Sequence, residues 1–335
     1  GLGMKNPQLL AEAKDYLGRD EIPQDFDAFW DRELRNVEIP RDYCLIEKDF
    51  RIGRVTCYEI VFGGTNNGQV YARMVLPKEE NKVPVIFHFH GYMGRCWDWT
   101  DMLPYTAAGY GVVSMDVRGQ SGYSLDGSGL VRGNTVKGQI IRGAIEGPDK
   151  LFFKDVYLDL YSLIEIVAGL DYVDEESLYS YGGSQGGALA LVAAALNPRI
   201  KKTVALYPFL SDFRRVLEIG NTSEAYDELF RYFKFHDPFH ETEDQIIETL
   251  SYIDVKNMAH RIKGKVDMVI GLEDTVCYPI TQFAIYNRLA GEKDCHLMPE
   301  YEHEALNVYV SDCVLNWLCG TNISHESMLT FSLEE

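Results

Sequence analysis

The chain has 335 residues, of which 46% are hydrophobic and 12% aromatic, enough to fill the core of one large α/β enzyme around a single sheet. A formal net charge of −19 repels phosphate backbones and anionic lipid. No nucleic acid and no membrane is therefore expected as a partner, whereas neutral small esters meet no such barrier. The plain reading of the charge is solubility.

Seven cysteines (Cys44, Cys57, Cys96, Cys277, Cys295, Cys313 and Cys319) form an odd, scattered set without a C-x-x-C pair. That set argues against a zinc site and for free thiols in a reducing cytoplasm. Gly1-Leu2-Gly3 before Met4 reads as a cloning remnant. Residues 188–196 form the longest apolar stretch, too short to cross a bilayer. The expected location is cytoplasmic.

In chain order, residues 6–36 carry a helical pattern, with Phe26, Phe29 and Trp30 spaced to dock on the body. Strand-like runs follow at 43–49, 56–62 and 69–77. Asn66-Asn67-Gly68, between the last two, is a hairpin signal. Residues 83–90 (VPVIFHFH) and 111–116 (GVVSMD) read as buried parallel strands. A helix is expected over 153–170, a short strand over 178–181, a helix over 186–196, and strands over 203–207 and 266–271. The run 295–298 is strand-like, and 303–317 reads as a closing helix. Residues 212–261 contain no clear strand and many aromatics. They read as a helical insertion over the sheet's C-terminal edge, most of those aromatics serving as packing. The alternation implies a mostly parallel central sheet flanked by helices, in one domain over residues 4–335 with an N-terminal extension to about residue 60.

The chemistry concentrates at Gly182-Gly183-Ser184-Gln185-Gly186, which matches G-x-S-x-G between a strand and a helix. A nucleophilic serine needs a sharp strand-to-helix turn to lift its hydroxyl above the sheet. Gly182 and Gly186 flank it because side chains there would clash. This is the signature of an α/β-hydrolase fold. A serine hydroxyl needs a base, and the base needs an orienting carboxylate. In this fold the chain order is serine, acid, histidine. Asp274, in the turn after 266–271, is the expected acid, with Glu273 the rival. His303 is the expected base because it follows a loop, whereas His296 falls in a strand-like run. Two backbone N–H groups should hold the oxyanion: Gln185, next to the serine, and Tyr92, in the loop His90-Gly91-Tyr92-Met93-Gly94. His88 and His90 share a strand face but lack a third ligand, so no metal is expected. His90 should instead steady the oxyanion loop. Arg118, in Arg118-Gly119-Gln120, either buttresses the site or pairs with a surface carboxylate.

Together, Arg118-Gly119-Gln120, Gly182-Gly183-Ser184-Gln185-Gly186-Gly187 and His303-Glu304 resemble the three motifs of the acetyl xylan esterase/cephalosporin C deacetylase family, the seventh carbohydrate esterase family. Asp25-Phe26-Asp27, Phe29-Trp30, His90-Gly91-Tyr92 and Asp274-Thr275-Val276-Cys277 extend the resemblance over residues 22–317. It implies Ser184 as nucleophile, Asp274 as orienting acid, His303 as base, and Tyr92 and Gln185 N–H as the oxyanion hole. Arg118 and Gln120 would be structural supports. It further implies a serine esterase that needs no cofactor and deacetylates small substrates, acetylated xylo-oligosaccharides and cephalosporin C, through an acyl-enzyme. The family's ring-like homohexamer, with sites facing an internal cavity, would exclude polymeric xylan. Residues 124–145 look variable, and those after Trp317 match nothing. The rival readings are a small-peptide or amide hydrolase on the same fold and a catalytically silent binding protein on a hydrolase scaffold.

Overall fold

Residues 83–89 are apolar on both faces, and a strand of that kind is stable only between two layers of helix. The computed structural model describes residues 5–129, 138–304 and 307–323. The first four residues, His325 and the rest of the tail, and the centre of the 124–145 segment lie outside the described residues. A nine-stranded sheet runs in the order β1-β2-β3-β5-β4-β6-β7-β8-β9. Strands β1 (Cys44–Lys48), β2 (Val55–Gly63), β3 (Gln69–Pro77) and β5 (Gly111–Met115) pair antiparallel in succession. From β5 onward the pairing is parallel through β4 (Val83–Phe89), β6 (Val173–Gly183), β7 (Ile200–Leu206), β8 (Lys265–Gly271) and β9 (Lys293–Met298). This is the mostly parallel α/β sheet that the alternation predicts.

Strand β4 has β5 on one side and β6 on the other, so the chain order reverses there. In open α/β sheets the crevice beyond the carboxyl ends of strands at such a reversal is where ligands bind. The β2–β3 hairpin turns at Asn66 and Asn67, both left-handed (φ 50° and 57°), and Gly68 N–H bonds Thr65 O at 3.1 Å. Paired positive φ angles match the right-handed twist of the strands, which is why Asn-Asn-Gly is a good turn.

Helix α5 (Gln185–Leu196) is buried along its whole length. Its run of glycine and alanine lets it lie close to β6 and β7. The flanking layers are α1 (Pro7–Ala13), α2 (Phe26–Asn36), α3 (Trp99–Ala107), α4 (Phe152–Ala168), α9 (Pro279–Arg288) and α10 (Val310–Cys319). In α2, Phe26, Phe29 and Trp30 are buried, and Trp30 Nε1–H donates to Tyr252 O at 2.8 Å. The N-terminal extension therefore docks on the insertion. That insertion is helical as expected: α6 (Phe213–Ile219), α7 (Asp227–Phe235) and α8 (Glu243–Leu250), then two 3-10 turns at Val255–Asn257 and Ala259–Arg261.

Three elements differ from expectation. The closing helix starts at Val310, not at residue 303, because the apolar stripe Val310, Cys313, Val314, Leu318 begins only there. Tyr309, left-handed at φ 68°, stands just before it. Strand β6 begins at Val173 rather than 178. Its polar first half stands at the sheet margin, where the pairing with β4 shifts register. Helix α3 is unforeseen: Pro104 disguises it, but Asp98 and Asp101 form a capping box at its start.

Candidate functional site

Ser184 sits between β6 and α5 at φ 57°, ψ −120°, a conformation costly for any residue with a Cβ. The surroundings impose it. Ser184 N–H bonds Leu206 O at 2.9 Å, and Ser184 O accepts from Ala188 and Phe209 N–H. The flanking glycines are obligatory: a Cβ on Gly186 would lie 1.8 Å from Phe89 O, and one on Gly182 would lie 2.3 Å from Gly186 O. The strand-to-helix turn anticipated around Ser184 is therefore present.

Asp274 is buried in the turn after β8. Its Oδ1 accepts from Val276 N–H (2.8 Å) and Cys277 N–H (2.9 Å), and its Oδ2 lies 2.9 Å from His303 Nδ1. These donors satisfy a carboxylate buried at 2% exposure. His303 lies in the loop between β9 and α10, with its ring edge-on to Tyr207 at 4.5 Å. The rivals go elsewhere. Glu273 faces the Lys5 ammonium at 3.6 Å on the surface. His296 Nε2 contacts Asp267 at 2.9 Å, and its ring stacks on Trp317.

The structure thus joins Asp274 to His303, but it does not join Ser184 to His303 by a hydrogen bond. The Tyr207 ring, 4.5 Å from the imidazole, also packs against Gly183, the residue before Ser184. Burial raises the pKa of the nearby Cys277 thiol well above its ordinary value. Catalytic hydrogen bonds of unliganded enzymes are often long and close only on substrate.

The loop carrying Tyr92 is clamped by side-chain amides. Gln185 Nε2 reaches His90 O (3.3 Å) and Gly91 O (3.4 Å). Gln120 Oε1 accepts from Met93 N–H at 2.9 Å, and Met93 is left-handed at φ 61°. Gly94 N–H closes the turn on Gly91 O at 3.0 Å. His90 steadies the same loop. Its Nε2 accepts Val117 N–H (3.0 Å), so its proton sits on Nδ1 and is given to Gly91 O (2.8 Å). Burial holds this imidazole below its ordinary pKa, which keeps it neutral. Gln185 opens α5, so its N–H has no intrahelical partner.

Arg118 is fully buried, and the carboxylates it pairs with are buried too rather than on the surface. It forms a two-pronged pair with Asp159 (2.7 Å each) and lies 3.4 Å from Asp126 and 4.0 Å from Asp155. Asp155 also receives Thr65 Oγ1–H and Asn66 Nδ2–H, so Arg118 ties the β2–β3 hairpin to α4. Burial pushes Asp159 up to about 6 even beside the guanidinium. His88 stacks on Trp97 at 3.4 Å and bonds Ser114. Among the described residues no cluster of three or more His, Cys, Asp or Glu side chains is arranged to hold a metal ion, and no helix is long and apolar enough to cross a membrane. All seven cysteines are free.

One contact set escaped the sequence reading. Glu228, on α7, is buried and accepts from the Tyr92 phenol at 2.9 and 3.1 Å. It also accepts from Gly138 N–H at 3.0 Å and from Ile140 N–H. A charged residue placed in the first turn of an amphipathic helix looks exposed, so no sequence signal marks it.

Residues 4–321 match the family model described as acetyl xylan esterase (AXE1). Acetyl xylan esterase 1 from Thermoanaerobacterium sp. JW/SL YS485 is 42% identical, with a TM-score of 0.88 over 93% of this chain and 98% of that one. The acetyl xylan esterase from Paenibacillus sp. R4 is 34% identical, with a TM-score of 0.85 over 92% and 98%. Acetyl esterase Axe7A of Xylanibacter ruminicola is 27% identical over 304 residues, which span 89% of this chain and 66% of that protein's length. With that match across nearly its whole length, and with a strained serine turn, a bonded aspartate–histidine pair and an amide-clamped loop at the head of its sheet, the chain belongs to the acetyl xylan esterase family.

Proposed function

We propose that this protein is a serine esterase that removes acetyl groups from small acetylated substrates. Ser184 is the nucleophile, His303 the general base and Asp274 the acid that orients it. The observation that carries the reading is the 2.9 Å bond from Asp274 Oδ2 to His303 Nδ1, together with the strained turn at Ser184. With Nδ1–H donated to the carboxylate, His303 Nε2 is left unprotonated and free to take the serine proton.

The reaction runs in two halves. Ser184 Oγ attacks the ester carbonyl carbon while its proton passes to His303 Nε2, and the carbonyl electrons move to oxygen. Tyr92 and Gln185 backbone N–H groups hold that oxyanion. On collapse the C–O bond to the alcohol breaks, and the alcohol leaves with the proton from Nε2. Water then adds to the acetyl-serine by the same path, giving acetate and free serine. No cofactor takes part. Arg118 and Gln120 support the site, and Gly182 and Gly186 permit its turn.

Acetylated xylo-oligosaccharides and cephalosporin C are the proposed substrates. A ring-like homohexamer with sites on an internal cavity, and a cytoplasmic location, belong to the same proposal. The acidic surface and free cysteines support the location, and the family resemblance supports the ring. The test is acetate release from a panel of acetylated xylo-oligosaccharides, cephalosporin C, longer acyl esters and acetamides. Turnover confined to amides, or preference for long acyl chains, contradicts it.

A further inference from the structure

The helical insertion does more than cover the sheet, because one of its side chains reaches the oxyanion turn. We infer that Glu228 is a positioning residue for the oxyanion donor at Tyr92, acting by tying the Tyr92 phenol to the backbone of residues 138–140. The inference rests on the reading of Tyr92 N–H given above.

Three segments far apart in the chain meet on this one carboxylate. The Tyr92 phenol bonds both of its oxygens (2.9 and 3.1 Å), Gly138 N–H takes Oε2 at 3.0 Å, and Ile140 N–H takes Oε1. The Tyr92 ring is further held by Phe209, with centroids 5.2 Å apart, and by Phe153 at 6.4 Å. Gly138 and Ile140 N–H can only donate and the Tyr92 phenol donates beside them, a set of donors that the deprotonated carboxylate, which accepts and does not donate, meets in full. The titratable groups facing it are the Tyr92 phenol from the oxyanion turn and Asp227 on its own helix, and no cation pairs with it among the described residues. Burial, ahead of these contacts, pushes the Glu228 carboxyl up to about 7. A structural acid with no bearing on the site would more simply be an apolar residue, since burying a charge without a cation is costly.

The amide clamp fixes the turn from the sheet side through Gln120 and Gln185, and Glu228 fixes it from the insertion side through the phenol. Removing either oxygen acceptor lets Tyr92 shift. A displaced oxyanion donor costs transition-state stabilisation and leaves ground-state binding almost unchanged.

The test uses Glu228→Gln and Tyr92→Phe in the full chain, with 4-nitrophenyl acetate as substrate and a methyl trifluoromethyl ketone as the probe that forms an oxyanion on the serine. Glutamine cannot stand in, because its amide would set N–H against the N–H of Gly138 or Ile140. Tyr92→Phe deletes only the phenol oxygen. Each variant is expected to lower kcat about tenfold, less than outright loss of an oxyanion donor, with KM within about twofold. Ketone inhibition should weaken by the same factor, and the double variant should be no worse than the worse single one. The wild-type acid limb in kcat near pH 7 should lose a component in Glu228→Gln. Wild-type kcat and ketone affinity in Tyr92→Phe, or a change confined to KM, overturns the inference, and Tyr92→Phe decides alone if Glu228→Gln fails to fold. Ser184→Ala separates the two claims: an active Ser184→Ala sinks the serine reading, whereas an inert Ser184→Ala beside a fully active Tyr92→Phe sinks only the role of Glu228.

Discussion

Gln120 and Gln185, 65 residues apart, face each other through two amide hydrogen bonds: Gln120 Nε2 to Gln185 Oε1 at 2.7 Å, and Gln185 Nε2 to Gln120 Oε1 at 3.0 Å. This pair couples the loop after β5 to the helix that follows Ser184. Through Met93, Gly91 and His90 it also grips the loop that carries Tyr92.

Gln120→Ala loosens that grip and leaves Met93 N–H and Gln185 Oε1 without their partners. We expect kcat for an acetyl ester to fall between about tenfold and a hundredfold, and stability to fall by about 1–3 kcal/mol. Steady-state kinetics beside a urea unfolding curve measures both. An unchanged kcat would show that the clamp does not bear on the reaction.

Arg118→Met leaves Asp159, Asp155 and Asp126 crowded and without their shared cation. The predicted loss is roughly 3–5 kcal/mol of unfolding free energy, the usual cost of breaking a buried pair by deleting one partner. Because Arg118 packs under the hairpin, where a Cβ on Gly68 would meet its guanidinium at 2.3 Å, the loss should be one of folding rather than of chemistry. Denaturant melts test it. A loss below about 1 kcal/mol would mean that these carboxylates are protonated or hydrated instead.

Glu228 also links stability to pH. Its carboxyl is raised in the folded state from the ordinary 4.5 to about 7. Between those values the native state keeps a proton that the unfolded chain has lost. The group therefore favours the native state at low pH, and that contribution fades as pH rises from about 4.5 to about 7. Glu228→Gln has no such proton. The difference in unfolding free energy, wild type minus variant, should fall across that window by up to about 3 kcal/mol. Parallel pH–stability curves would contradict the raised pKa.

Much of this was legible in the sequence because local chemistry dictated it. The glycines around Ser184 announce a turn that no Cβ tolerates, and Asn-Asn-Gly announces a hairpin. Asp274 and His303 were readable from chain order and loop context, and Glu273 and His296 lie where those contexts place them, on the surface and in a strand. What escaped needed the third dimension. Helix α3 hid behind Pro104, since a proline reads as a breaker unless its missing N–H falls near a helix start. The loop around His303 reads as helix in the sequence because a histidine before an apolar stripe resembles a first turn, whereas the helix starts at Val310. Glu228 left no trace, as an acid reads as surface until its partners arrive from distant segments, and the motifs marked Gln120 and Gln185 without showing that their amides bond each other.

Asp274→Asn keeps the shape of the turn but converts one acceptor into a donor. Its amide sets N–H against either His303 Nδ1–H or the backbone N–H groups of Val276 and Cys277. The imidazole then loses its tautomer, and kcat should fall by roughly 10⁴ with little change in fold. A loss under about tenfold, measured alongside an unaltered thermal midpoint, would show that the aspartate–histidine pair is ornamental to turnover.

The most direct measurement of the central claim is acid-quenched mixing of the enzyme with 4-nitrophenyl acetate, followed by peptide mass analysis. The account predicts a burst of alcohol equal to the enzyme present, an acetyl group on the Ser184 peptide, and neither in Ser184→Ala. Acetate release at near wild-type rate by Ser184→Ala, or an acetyl group trapped on another residue, would contradict it.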